Sequence, residues 1–407
     1  MPKILQINSV YGVGSTGRLT KDLHHALAKD GLESTVLYGR GPNTQDEGVI
    51  RVCSDLYGKA QSLTSRLTGL SYGGCLLSTA MILRTLDREQ PDIVHLQCVN
   101  EHFVNIYRLV SWLRDNRIRT VLTLHADFMF TANCGSSLEC EGWRDGCLAC
   151  PDVKRATKSL LLNRTAESYD RLKDAFDGFG NRLSVVSVSP WLMERAKSSP
   201  MLRSFKHSTI MNGVDANVFK PTDSQEVRWM YDLGERKIVL HVTAQFDDSP
   251  GYLKGGSYVF ELARRMTNDL VTFVVIGPSR IAGSVPDNVL MLGKLSDGNE
   301  LARWYSAASC TLLTSKQETF SLVCAESLCC GTPVVGFRAG GPESIAYPAA
   351  STFESHGDLD ALESCVREAI LAKRDQRISI AEQARLLYAK EVMVRRYEEE
   401  YRRMLCH

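Results

Sequence analysis

The chain has 407 residues, more than a single hydrophobic core usually serves, so two domains are the default expectation. Its 44% hydrophobic and 23% charged residues are ordinary for a globular enzyme and leave enough apolar side chains for two cores. Lys plus Arg number 48 against 47 Asp plus Glu, a formal net charge of +1; this excludes the basic footprint of a nucleic-acid binder but not a local basic patch at a membrane surface.

The N-terminal Met-Pro-Lys-Ile-Leu-Gln-Ile-Asn reads as a first strand, without the apolar region or cleavage site of a signal peptide. The richest apolar stretch, Cys75–Leu83, falls short of the roughly 18 residues of a spanning helix and ends at Arg84. The expected compartment is the cytoplasm, with peripheral contact at the inner face of the cytoplasmic membrane left open. Thirteen cysteines, odd in number and scattered, do not form a disulfide framework.

In chain order, the first predicted strands are Lys3–Asn8, Thr35–Tyr38, Asp92–Gln97, Thr120–His125 and Leu183–Ser189. A second series follows at Lys237–Thr243, Val271–Gly277, Asn288–Leu292, Cys310–Ser315 and Pro333–Phe337. Near-continuous apolar runs of this kind fit parallel strands covered on both faces. Amphipathic stretches separate them, such as Arg18–Asp30, with Leu19, Leu23, Ala26 and Leu27 on one face and a stop at Gly31. Two such series predict an α/β chain of two Rossmann-like, doubly wound domains facing a central cleft. The join is placed near Asn212–Pro221, giving an N-terminal domain over 1–218 and a C-terminal domain over 219–385. The closing segment, Ile378–Leu405, reads as a charged, solvated helix; the alternative is that 386–407 packs back across the join onto the N-terminal domain.

Gly12-Val-Gly14-Ser-Thr-Gly17 follows the first strand and opens a helix, a G-x-G-x-x-G turn that lets backbone N–H groups approach a phosphate. The acidic ribose ligand of a dinucleotide site is missing; the second strand instead ends at Gly39-Arg40. A plain turn, an anion- or sugar-contacting loop and an NADP site using Arg40 all remain open.

The second half carries the strongest signal. Cys310–Ser315 runs into Lys316-Gln-Glu318-Thr-Phe-Ser-Leu-Val-Cys-Ala-Glu326 and then Gly331-Thr-Pro-Val-Val335. Glu318 falls at a strand's C-terminal end, where open α/β sheets bind ligands. Phe320, Ser321 and Leu322 would offer N–H groups at a helix N-terminus to a diphosphate, and Glu326, further along, could accept two vicinal hydroxyls such as those of ribose. Lys254-Gly-Gly256 sets a compact charge at a helix start, suited to a phosphate leaving group. Against this stands the bland reading of helix-terminal and surface charges. Asp247-Asp248 are adjacent in a loop, not an Asp-x-Asp pair at a strand end, so no catalytic cofactor is expected.

Together these residues resemble the family-four group of retaining glycosyltransferases, which have the GT-B fold. The likeness runs through Gly12–Arg18, His125, Ser189-Pro190, Asn212-Gly-Val-Asp215, Lys254-Gly255, the E-x7-E pair Glu318/Glu326 and Gly331-Thr-Pro-Val-Val. His125-Ala-Asp127 with the cysteines after it is similar to exopolysaccharide enzymes of the colanic-acid type. The resemblance implies transfer of a hexosyl unit from a nucleoside-diphosphate sugar to a saccharide, a lipid-linked oligosaccharide included. It implies that Glu318 contacts the donor sugar, Glu326 the ribose and Lys254 the diphosphate, with the Gly14 loop closing against it. His125 would lie near the reacting centre on the acceptor side, whereas His95 is read as structural. One departure stands out: the Arg that many members carry after the strand is replaced by Thr243-Ala-Gln245, leaving the phosphates to Lys254 alone or with a cation such as Arg18. The alternatives are a non-catalytic glycan-binding relative and an NADP-dependent oxidoreductase.

Cys134-x5-Cys140-x6-Cys147-x2-Cys150, with Trp143 among them, is the one dense cysteine cluster. A tetrahedral structural zinc bracing a loop too polar to build a core is the leading expectation; disulfide or redox pairs and free thiols are the others.

Overall fold

The computed structural model describes residues 1–267, 270–372 and 374–406. Contacts divide the chain into two compact units, Met1–Ile210 with the chain from Val394 onward, and Met211–Met393. The division at 210/211 comes eight residues before the expected 218/219.

In the first unit, β1 (Lys3–Val10), β2 (Glu33–Arg40), β3 (Val49–Arg51), β4 (Ile93–Leu96), β5 (Arg119–Leu124), β6 (Leu183–Ser187) and β7 (Lys206–Thr209) form one sheet ordered β3-β2-β1-β4-β5-β6-β7. Every pairing is parallel. The five expected strands are the buried ones. The two missed, β3 and β7, are edge strands of half-exposed pattern, and β7 reads Lys-His-Ser-Thr, with no apolar run to betray it.

The second unit holds β8 (Lys237–Val242), a short ribbon of β9 (Phe246–Asp247) with β11 (Ser279–Arg280), and β10 (Val271–Ile276), β12 (Val289–Gly293), β13 (Cys310–Leu313), β14 (Val334–Phe337) and β15 (Ser351–Glu354). Its six-stranded sheet runs β12-β10-β8-β13-β14-β15, again all parallel. Val239, Phe273, Leu312 and Phe337 from the strands pack with Phe260 and Leu362 from covering helices in one buried core. In both sheets the order reverses beside the first strand, between β1 and β4 and between β8 and β13. These are the topological switch points, where the loops beyond the strand ends diverge and leave a crevice.

Helix α1 (Gly14–Lys29) begins four residues before the expected Arg18. Further on in the first unit are α2 (Asp55–Thr68) and α3 (Leu76–Glu89). In the second unit, α4 (Gly256–Arg265), α5 (Leu322–Cys329) and α6 (Gly341–Ile345) follow β9, β13 and β14.

The closing segment is two helices, α7 (Arg377–Tyr388) and α8 (Lys390–Leu405), broken at Ala389. The break is held by Asn212-Gly-Val-Asp215. Val214 N–H donates to the Tyr388 carbonyl at 2.7 Å, Lys390 N–H donates to the Val214 carbonyl at 2.9 Å, and Lys390 Nζ meets Asp215 Oδ2 at 2.6 Å. A Cβ on Gly213 would stand 2.7 Å from Lys390 Cα, so only glycine fits there. The solvated reading of this segment is overturned. Met393, Tyr397, Tyr401 and Met404 are all buried, a stripe at helical spacing. Tyr397 Oη lies 3.0 Å from Thr123 Oγ1 and Tyr401 Oη 2.6 Å from His95 Nδ1, both within the first unit.

Candidate active site

In the second unit the loops after β8 and β13 meet at the switch point. Thr314 Oγ1 donates to the Lys254 carbonyl at 2.9 Å, and Lys316 N–H donates to the Leu253 carbonyl at 2.8 Å. Gly255 has φ +66°, and a Cβ there would lie 2.2 Å from the Thr314 carbonyl oxygen. The glycine after Lys254 is therefore demanded by this close approach. Glu318 is pinned on the other side: its N–H donates to the Ala339 carbonyl at 2.9 Å, and its carbonyl accepts from Gly341 at 2.8 Å. A Cβ on Gly341 would come within 2.7 Å of Glu318 O and 2.6 Å of Phe320 N. Glu343 accepts from the N–H groups of Ala339 and Gly340 at 3.0 and 2.7 Å, holding this turn.

The result is a direct contact. Lys254 Nζ lies 2.5 Å from Glu318 Oε1, which also accepts from Ser315 Oγ at 2.9 Å. The side chains keep 33% and 21% of their exposure, so the pair is reachable by a ligand. Two residues read separately in the sequence meet in one ion pair.

Phe320 is buried and sets its ring edge-on toward Tyr388, so it offers backbone, not side chain. Ser321 adopts φ +79°, unusual for a residue with a Cβ, and its Oγ caps α5 by accepting from Cys324 N–H at 3.3 Å. Leu322 opens α5, whose first-turn N–H groups have no carbonyl of the same helix to meet. Glu326 is 9% exposed and accepts from Tyr305 Oη at 3.0 Å. Burial and the Glu326 charge hold the Tyr305 phenol well above its usual pKa, so it stays a proton donor that orients the carboxylate. Tyr305, Ser315, Gly341 and Glu343 were not singled out in the sequence, and neither was His241. That ring is buried in β8, its Nδ1 3.0 Å from the Leu312 carbonyl, and burial lowers its pKa to about 4. Asp247 and Asp248 accept from N–H groups of Ser249, Ala282 and Gly283, which makes them loop braces.

The first unit carries the remaining expected residues at the ends of β1 and β5. Gly12 and Gly14 have φ +69° and +65°, and Gly12 N–H donates to the Gly17 carbonyl at 2.9 Å. The start of α1 has no side-chain cap and no acidic residue in its first turn, so no side chain of that turn offsets its positive end. Arg18 is exposed, its Nε 3.3 Å from the Gly14 carbonyl. Arg40, the residue an NADP reading needs, is bound to Glu101, with Nε 2.7 Å from Oε2.

His125 Nε2 lies 3.1 Å from Gln97 Oε1, and Gln97 Nε2 donates to Gln6 Oε1 at 2.7 Å. The Gln97 amide, itself tied to Gln6, holds the His125 ring in place. Burial against protein lowers its pKa to about 4, which keeps the ring neutral. His95 is fully buried between Tyr401 and Thr123, as its structural reading requires.

Cys134, Cys140, Cys147 and Cys150 line one cavity of about 20 Å³. All are free thiols, and burial pushes Cys134 up to about 12 and Cys147 up to about 11. Among the described residues no group of three or more His, Cys, Asp or Glu is arranged to hold a metal ion. Nor is the loop without a core. Trp143 is buried against Phe130 at 5.1 Å, with the Arg195 guanidinium 5.3 Å from its ring.

Two parallel doubly wound units with ligand loops at their switch points define the GT-B architecture. The chain superposes on Anabaena Alr3699/HepE, solved in complex with UDP-glucose, with a TM-score of 0.67 at 14% identity over 98% of this chain and 99% of that one. Residues 16–218 match Glycosyltransferase Family 4 and residues 239–370 match Glycosyl transferases group 1; the chain belongs to the family-four glycosyltransferases. It is 21% identical over 84% of its length to the putative colanic acid biosynthesis glycosyl transferase WcaC of Escherichia coli (strain K12), covering 84% of that protein. It is also 30% identical over 158 residues, 35% of this chain, to a D-inositol 3-phosphate glycosyltransferase of Catenulispora acidiphila, spanning 38% of that relative's length. The family removes the oxidoreductase alternative.

Proposed function

We propose that this glycosyltransferase moves a hexosyl unit from a nucleoside-diphosphate sugar to a saccharide hydroxyl, with retention of anomeric configuration, in polysaccharide assembly. The observation that carries it is the Lys254–Glu318 contact at the switch point, directly before the capped N-terminus of α5 and its Glu326. The diphosphate lies on the α5 N-terminus and Lys254, ribose hydroxyls bind Glu326, and the sugar faces Glu318. As the bond from the anomeric carbon to the phosphate oxygen breaks, its electron pair passes to the diphosphate, where Lys254 and the helix N–H groups stabilise the charge. The acceptor oxygen bonds to that carbon from the same face and gives its proton to the departing phosphate oxygen. No divalent ion enters this step. His125, neutral and held by Gln97, serves as a hydrogen-bonding group on the acceptor side. The UDP-glucose in the Anabaena structure and the colanic acid role named for the Escherichia coli relative support this reading. A lipid-linked oligosaccharide is the proposed form of the acceptor.

The test is incubation of purified protein with nucleoside-diphosphate hexoses, with and without chelator, following nucleotide release and the first-formed anomer by NMR. Release with retained configuration in chelator is expected. An inverted product, or activity restored only by magnesium or manganese, overturns the mechanism. No turnover of any donor, with or without saccharide acceptors, favours the glycan-binding alternative.

A further inference from the structure

The first unit exposes an apolar surface that neither the sheet nor the donor chemistry uses. On α2, Leu56, Leu63 and Leu67 are 79%, 57% and 49% exposed. With exposed Ala60 they fall at helical spacing on one face. At the start of α3, Leu76 and Leu77 are exposed, and Leu77 N–H donates to Tyr57 Oη of α2 at 3.2 Å, so the two helices adjoin here. The run Leu160-Leu161-Leu162 is exposed as well, Leu161 at 81%. It lies at the other end of α2, where Leu160 N–H donates to the Arg66 carbonyl at 2.9 Å. Eight exposed leucines drawn together from three segments exceed the single exposed apolar residues normal on a protein surface.

The charges around them have one dominant sign. Exposed Lys59 and Arg66 sit on α2 beside the leucines, and exposed Lys154 and Lys158 precede the leucine run. The acidic residue of α2, Asp55, is held by Arg51 at 2.8 Å, and Asp152 by Arg155 at 3.4 Å. Among the described residues no helix is long and apolar enough to cross a membrane. Leucines interleaved with lysines and arginines are the pattern of a surface that lies in the headgroup region of an anionic bilayer, the leucines entering the acyl boundary and the cations facing lipid phosphates.

We propose that α2, the start of α3 and the segment 158–162 form a docking surface for anionic membrane lipid. The inference goes beyond the transfer reaction and rests on none of the donor-site residues. It would place the enzyme at the plane where a lipid-linked acceptor is found.

The test is co-sedimentation of the full chain with vesicles of phosphatidylcholine alone and of phosphatidylcholine mixed with phosphatidylglycerol. Binding to the mixed vesicles that weakens with salt is expected. The double variant Leu63→Asp/Leu67→Asp, and Leu161→Asp separately, should each lose on the order of tenfold or more in partitioning. Lys59→Gln and Lys158→Gln should lose roughly fivefold each on the mixed vesicles only. Leu371→Asp, equally exposed but in the second unit, should bind as wild type. Circular dichroism and vesicle-free donor hydrolysis should be unchanged in all of them. Absence of vesicle binding, binding indifferent to these substitutions, or self-association in sedimentation that the same substitutions abolish would overturn the proposal; the last would assign the surface to a second copy of the chain.

Discussion

Removing the Lys254 ammonium separates the energetics of folding from those of transfer. Its contact with Glu318 is short, 2.5 Å, but the side chains keep 33% and 21% of their exposure. Solvent screens such a pair, so Lys254→Ala should cost about 1 kcal/mol of stability or less. In the proposed reaction the same ammonium meets charge that grows on the diphosphate, and losing one such group costs on the order of 10²–10³ in kcat, or about 3–4 kcal/mol of barrier. Glu318→Gln should lower kcat too, for two reasons: the sugar loses a carboxylate, and Lys254 loses the partner that positions it. Because both act through one contact, the Lys254→Ala/Glu318→Gln double variant should lose less than the product of the single losses. The assay is steady-state donor turnover on the three variants, with thermal melts as the check on folding. Folded Lys254→Ala with near-normal kcat would refute the role of the ammonium. Strictly multiplicative losses would refute the coupling.

In the proposed binding mode Glu326 meets hydroxyls that do not change during transfer, so Glu326→Gln should raise the donor KM with a smaller effect on kcat, and Tyr305→Phe, which removes the donor at 3.0 Å, should move KM the same way; a kcat loss without a KM change would contradict this. His95, His125 and His241 are held neutral, with pKa lowered by burial from 6.5 to about 3, 4 and 4. The unfolded chain therefore binds more protons below the unfolded value, and stability, complete above about pH 6.5, should fall as pH drops toward about 4. For fully buried His95 and His241 the loss is on the order of 2 kcal/mol each by about pH 5. Urea unfolding across this range measures it, and a flat profile would refute the assignment. The structural zinc expected from the cysteine spacing, which the described thiols are not arranged to hold, would require about one zinc per chain. Elemental analysis of protein purified without added metal tests this, and a folded, metal-free protein with four titratable thiols at these positions would refute it.

The central strands were legible because each is an unbroken apolar run covered on both faces, as in Ile93–Leu96 or Val271–Ile276. Edge strands such as β7 and β15 bury one side at most and left no such run. The positions of Glu318 and Glu326 followed from a strand end leading into a helix start. That Glu318 and Lys254 touch did not, because 64 residues separate them in the chain. Tyr305 was invisible for the same reason: on its own helix it is an ordinary buried aromatic, and its meaning comes from Glu326. The stripe Met393, Tyr397, Tyr401, Met404 was present in the sequence, but seven Arg and Glu between Val394 and Met404 masked it and favoured a solvated reading.

The central claim, that the second unit holds a nucleoside diphosphate on Lys254 and the α5 N-terminus, is tested most directly by thermal denaturation of wild type, Lys254→Ala and Glu326→Gln against nucleoside diphosphates and their sugars. At about 100 times the dissociation constant the right nucleotide should stabilise wild type by roughly 2.7 kcal/mol. Both variants should need more nucleotide for the same shift, Glu326→Gln the more so. Wild type that melts unchanged with every nucleotide and nucleotide sugar, or variants whose shifts match wild type at every concentration, would contradict the claim.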